Sequence, residues 1–119
     1  MYTVNQLKQR KLAQRYRELL KQEAAIGGQL FGALEPGHKR EFICLDERTW
    51  IWHEERVDIK GLRHVQTTRY DVIPNGVVKC VNDGTSKLIS QKEANNLLQA
   101  SKLYNQRITL ELYQSAAAL

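Results

Sequence analysis

The chain has 119 residues, of which 42 % are hydrophobic and 26 % charged, with only seven glycines and two prolines. That length suits one domain, or one domain with a helical arm, and the composition excludes a mostly disordered chain. Eighteen basic residues against thirteen acidic ones give a net charge of +5, and no apolar run approaches the ~18 residues needed to span a bilayer.

The charge is uneven. Residues 1–22 hold six basic groups (Lys8, Arg10, Lys11, Arg15, Arg17 and Lys21) and one acidic group, Glu18, while the rest of the chain balances twelve against twelve. Any attraction to nucleic acid, an anionic surface or an acidic protein therefore belongs to that first segment.

In chain order, residues 1–28 read as a basic amphipathic helix. Thr3 or Asn5 caps its start, and Leu, Lys, Gln, Arg and Glu fill its interior. Leu12, Tyr16, Leu19 and then Glu23 or Ala24 follow a spacing of three to four, extended imperfectly backwards by Val4 and Leu7. Arg10, Arg17 and Lys21 fall on the opposite face, with Lys8, Lys11 and Arg15 toward the flanks. Gly27-Gly28 is expected to end the helix, because glycine accepts a left-handed cap without a Cβ penalty. Residues 29–39 form a connector anchored through Leu30 and Phe31, with a turn at Glu35-Pro36-Gly37 and His38 in solvent.

Residues 40–89 change character. Runs at 41–45, 49–57, 62–73, 77–81 and 86–89 are rich in aromatic and β-branched residues and are separated by turn residues. Asn75-Gly76 and Asp83-Gly84 are expected to form type I′ hairpin turns. In residues 90–116, Ser90 and Glu93 make a capping box ahead of a stripe of Ala94, Leu97, Ser101, Tyr104, Ile108 and Leu112, widened by Leu98, Leu103 and Leu110. Residues 115–119 are expected to fray. The predicted fold is α+β: a four- or five-stranded antiparallel meander flanked by an N-terminal and a C-terminal helix, both packed on the meander.

Candidate chemistry is sparse. In Trp50-Ile51-Trp52-His53-Glu54-Glu55 the two indoles share a face, either as a stacking platform for a ligand or as core contacts beneath a helix. His53 and His64 lie on strands joined by one turn, and with Glu55 they make the nearest approach to an acid–base or metal site. No metal-ligand spacing accompanies them, so no catalytic, cofactor or metal residue is assigned. Cys44 and Cys80 read as reduced, buried thiols, and the default location is the cytoplasm. The leading expectation is a non-enzymatic binding or adaptor domain that docks a protein through the basic helix and the adjoining sheet edge. Its alternatives are nucleic-acid binding without sequence readout, helped by Trp50, Trp52 and Tyr70 if exposed, and a small hydrolase or transferase using His53 or His64. Free sheet edges also suggest a homodimer.

Overall fold

The computed structural model describes residues 3–114; the fraying expected of residues 115–119 lies outside them. Helix α1 (Val4–Gln29) leads into five strands among the described residues: β1 (Lys39–Cys44), β2 (Thr49–Val57), β3 (Arg63–Ile73), β4 (Gly76–Val81) and β5 (Lys87–Leu88). Helix α2 (Gln91–Ile108) follows and passes into a π-helical segment, Thr109–Gln114. The strands pair antiparallel in the order β1-β2-β3-β4-β5. The fold is the α+β meander that the alternation of runs and turns predicts.

Both hairpin turns sit one residue earlier than expected. Ile73 pairs with Gly76, so Pro74 and Asn75 are the central residues of the β3–β4 turn. Proline has no amide hydrogen for the ladder and fixes a negative φ, which excludes a type I′ turn there. In the next turn Asn82 and Asp83 both take positive φ, 49° and 57°, and the Gly84 amide donates to the Val81 carbonyl at 2.9 Å. The short polar side chains of Asn and Asp tolerate that region. Asn82 also extends the ladder with its side chain, whose Oδ1 accepts the Thr67 amide hydrogen at 2.8 Å.

One face of the sheet carries the core. Register places Phe42 opposite Trp52, Cys44 opposite Trp50, and Trp50 opposite Tyr70, all on that face. Phe42 is fully buried, and its ring meets those of Tyr104 on α2 at 5.9 Å and Phe31 in the connector at 5.4 Å, both edge to face. Leu97 and Ala100 of α2 and Ala24 of α1 join this cluster. The widening residues Leu98, Leu103 and Leu110 stay exposed.

The glycine pair does not end α1. The helix continues to Gln29, and its last turn closes through the Leu30 amide on the Gly27 carbonyl at 3.2 Å. Gly27 and Gly28 serve close approach: a Cβ at Gly27 would lie 1.9 Å from the Phe42 carbonyl oxygen, and one at Gly28 would lie 2.0 Å from that of Arg40. The Leu45 amide bonds the Thr49 carbonyl, which fixes the ladder's alternation and leaves the Arg40 and Phe42 carbonyls pointing off the outer edge of β1. The end of α1 therefore covers a sheet edge instead of a face. Arg40 reaches back to the Gly28 and Gly32 carbonyls at 3.1 and 3.2 Å and lies over the Trp52 ring.

Two expectations change as a result. Of the two free edges that suggested a homodimer, α1 covers the β1 side, while the β3–β4 register begins only at Thr68 and β5 pairs with Val78 and Lys79 alone. Nor does all of α1 pack on the meander. A helix of 26 residues is about 39 Å long, whereas a six-residue edge strand spans only about 20 Å. Residues 4–19 are exposed throughout.

Ala ordinarily favours a helix over Gly by about 1 kcal/mol. Here Gly27→Ala and Gly28→Ala should instead each destabilise the protein by roughly 2–3 kcal/mol, because the added methyl meets backbone that cannot yield. Urea unfolding midpoints of the two variants against the parent chain check this reversal of sign.

Candidate functional site

The exposed part of α1 carries its own helix-start signal. Thr3 and Gln6 form a reciprocal capping box: the Gln6 amide donates to Thr3 Oγ1 at 3.2 Å, and the Thr3 amide donates to Gln6 Oε1 at 2.8 Å. Beyond it, Leu12 and Tyr16 are 62 % and 60 % exposed, far above what a helix stripe shows when packed on a core. Lys8, Arg10, Lys11, Arg15, Arg17 and Lys21 are all exposed on the same arm. Lys11 and Arg15, and likewise Arg17 and Lys21, stand four residues apart, the spacing at which like charges repel by a few tenths of a kcal/mol. Glu18, 3.8 Å from Lys21, partly offsets this.

The arm is locked to the body at Glu23. Its carboxylate accepts one hydrogen bond from the Tyr104 hydroxyl at 2.9 Å and a second, short one from Tyr113 in the π-helical segment. Burial, reinforced by the Glu23 bond, holds the Tyr104 phenol well above its ordinary range, and the Glu23 bond pushes Tyr113 up to about 12. Both phenols are therefore neutral donors at physiological pH. Burial also pushes the nearby Cys44 thiol up to about 12, which leaves it protonated and unreactive. Cys80 donates to the Gly84 carbonyl at 3.0 Å, and both thiols are free.

The sheet residues divide differently. Trp50 is buried, while Trp52 packs edge to face on Phe31 at 4.6 Å beneath the connector, so the two indoles are core contacts and present no stacking platform. Tyr70 is half-buried on the same face and donates to Glu93, which also receives Lys79 at 3.0 Å. Glu93 therefore turns to the sheet instead of closing the expected capping box, although Ser90 still accepts its amide hydrogen at 3.1 Å. His38 is partly covered and stands 3.9 Å from Glu35, in contrast to the solvent position expected for it.

His53 and His64 do not converge. His53 pairs with Thr67 and His64 with Arg56, three residues farther along β2, so the two imidazoles lie on opposite faces. His53 Nδ1 meets Thr67 Oγ1 at 2.7 Å and its Nε2 meets Glu55 at 3.0 Å; Glu55 also accepts from Arg63 at 2.9 Å. His64 bonds Asp58 at 2.8 Å in the β2–β3 turn, where Asp58 also accepts the Lys60 and Leu62 amides. His53 and Glu55 can be read from the sequence as same-face neighbours two apart. Thr67 and Arg63 cannot, because their place depends on register. The Glu23–Tyr104–Tyr113 cluster, which joins both ends of the chain, left no local signal either.

Among the described residues no group of three His, Cys, Asp or Glu side chains is placed to hold a metal ion, and no helix is long and apolar enough to cross a membrane. Comparison with protein-family models, curated proteins and solved structures returns no match, so a functional reading has to come from the residues themselves.

Three separately paired carboxylates, Glu55, Asp58 and Asp71, set an acid limit. The hydrogen bond from His53 holds Glu55 below its usual range, that from His64 does the same for Asp58, and that from Arg69 for Asp71. Each contribution is complete above the unfolded carboxylate range near pH ~4 and is lost as pH falls through the depressed folded value. The thermal midpoint should accordingly hold from neutrality to about pH 5 and drop below about pH 4. Glu55→Gln should flatten part of that slope, as measured by circular dichroism melts across the acid range.

Proposed function

We propose that the chain is a non-enzymatic docking domain, in which the sheet and α2 form the body and the first four turns of α1 bind a protein partner. One observation carries the reading. The same exposed arm that holds the chain's whole net charge also leaves Leu12, Tyr16 and Leu19 uncovered. Phosphate binding needs the cations but has no use for an apolar stripe, whereas a protein surface uses both. The docking surface is the arm alone, since the adjoining β1 edge already lies against Gly27 and Gly28. The His53 relay is given a structural role: with Arg63 on Glu55, and Asn82 on the Thr67 amide, its members stitch β2 to β3 and the following turn.

A photo-crosslinking amino acid placed at Leu12, and in a control at Ile59 in the β2–β3 turn, tests the reading in the cells that make the protein. A discrete heavier protein adduct from Leu12 and none from Ile59 is the expected result. Absence of an arm-specific adduct would overturn it. Fluorescence-anisotropy titration with generic DNA and RNA at two salt concentrations addresses the nucleic-acid alternative. If phosphates are the ligand, affinity falls with log salt at a slope of about −0.7 to −0.9 per contact, and Leu12→Ser with Leu19→Ser leaves it unchanged. The docking reading expects the serine pair to abolish the Leu12-region adduct when the crosslinker is moved to the neighbouring Gln9.

A further inference from the structure

We infer that the partner of this arm is an acidic amphipathic helix, a deepening that rests on the docking reading above. Spacing supplies the first argument. Leu12, Tyr16, Leu19 and Glu23 recur at intervals of four, three and four, the seam along which two helices pack side by side in a left-handed pair. The structure already uses this seam once. Tyr113, in the π-helical segment that follows α2, donates to Glu23 at the seam's C-terminal end. Leu12 and Leu19 remain open, at 62 % and 36 % exposure.

Charge decides between the occupants of that opening. Arg15 directly precedes Tyr16, and Lys8 stands one heptad earlier on the same flank, where residues of the facing helix come within ion-pair reach. Lys11 continues the same flank, and Lys11 with Arg15 is already a repelling pair. A second copy of this chain would bring further lysines and arginines against these and add to the repulsion. A helix carrying glutamates or aspartates at its flanks relieves it while its own apolar seam covers Leu12 and Leu19. The arm thus fits a helix opposite in charge and alike in period.

The test uses the full chain and a synthetic three-heptad peptide with leucine at the seam positions and glutamate at the flanks, titrated by calorimetry. Two further peptides share the assay: one of identical composition with the leucines scrambled off the seam, and one with lysine at the flanks. The seam peptide should bind, and the scrambled and lysine peptides should bind at least tenfold more weakly. Lys8→Glu with Lys11→Glu and Arg15→Glu should cost about tenfold or more, given three lost pairs made repulsive. Leu12→Ser with Leu19→Ser should reduce binding comparably, while the sheet's thermal transition stays cooperative. Equal binding of the scrambled peptide would overturn the inference in favour of a ligand that reads charge alone. So would sedimentation equilibrium showing self-association that the serine pair abolishes. If no peptide binds but the arm-specific adduct of the crosslinking experiment persists, the acidic-helix inference falls and the docking reading stands; loss of the adduct removes both.

Discussion

The contact between the Gly27-Gly28 backbone and the outer edge of β1 governs the arrangement of everything else. With no Cβ at either position, α1 comes close enough for its backbone to lie against the Arg40 and Phe42 carbonyls. Those oxygens belong to an edge strand, where they would otherwise face solvent or invite another strand. Helix Cα hydrogens can approach them there, weak contacts individually but repeated along the pair. The same approach brings Ala24 and Glu23 beside Tyr104, so that Phe42 is sealed on one side by helix and on the other by the connector's Phe31. A side chain at either glycine would push α1 outward and open the contacts around Phe42 and Tyr104 together.

Much of this fold was legible in the sequence, and the reasons differ by element. The strands followed from period-2 alternation and β-branched content because a meander's short loops leave few other ways to bury those faces. The turns slipped by one residue, since the dipeptide signals name residues that can take positive φ without saying which pair register will centre. At Pro74-Asn75 the proline decided that, and at Asn82-Asp83 two polar residues took the role expected of glycine. The glycine pair was misread for a related reason. Glycine marks both helix ends and close backbone approaches, and only the presence of β1 alongside distinguishes the two uses.

The candidate site was legible in composition and hidden in placement. Counting charges located the basic arm, and helical spacing found Leu12, Tyr16 and Leu19. An amphipathic pattern states that a face favours burial but not what buries it, so the sequence suggested the sheet where the structure leaves solvent. His53 and His64 illustrate the other limit. With Val57 paired to Arg63, the five intervening residues set the parity of β3, and that parity alone separates the two histidines onto opposite faces. One residue more or fewer in that loop would have placed both imidazoles on one surface, each within reach of the other's strand.

What the body gives the arm is a fixed origin and little support. Past Glu23 toward the N-terminus, the helix is held by its own hydrogen bonds, the Thr3–Gln6 box at the far end and the Tyr113 contact near its base. A stretch of about sixteen residues without tertiary packing is marginal as a helix even with favourable residues, and like charges four apart weaken it further. Its amino acids are otherwise strong helix formers, with no glycine or proline before Gly27. The combination separates propensity from stability: the arm is biased toward helix but gains little from adopting it alone. A partner that covers Leu12 and Leu19 and brings negative charge supplies the two terms that are missing, burial and charge neutralisation. Under the proposed docking, binding would stabilise the helix and the interface together, with an affinity lower than the contact area suggests, because part of the interaction energy goes into ordering the arm.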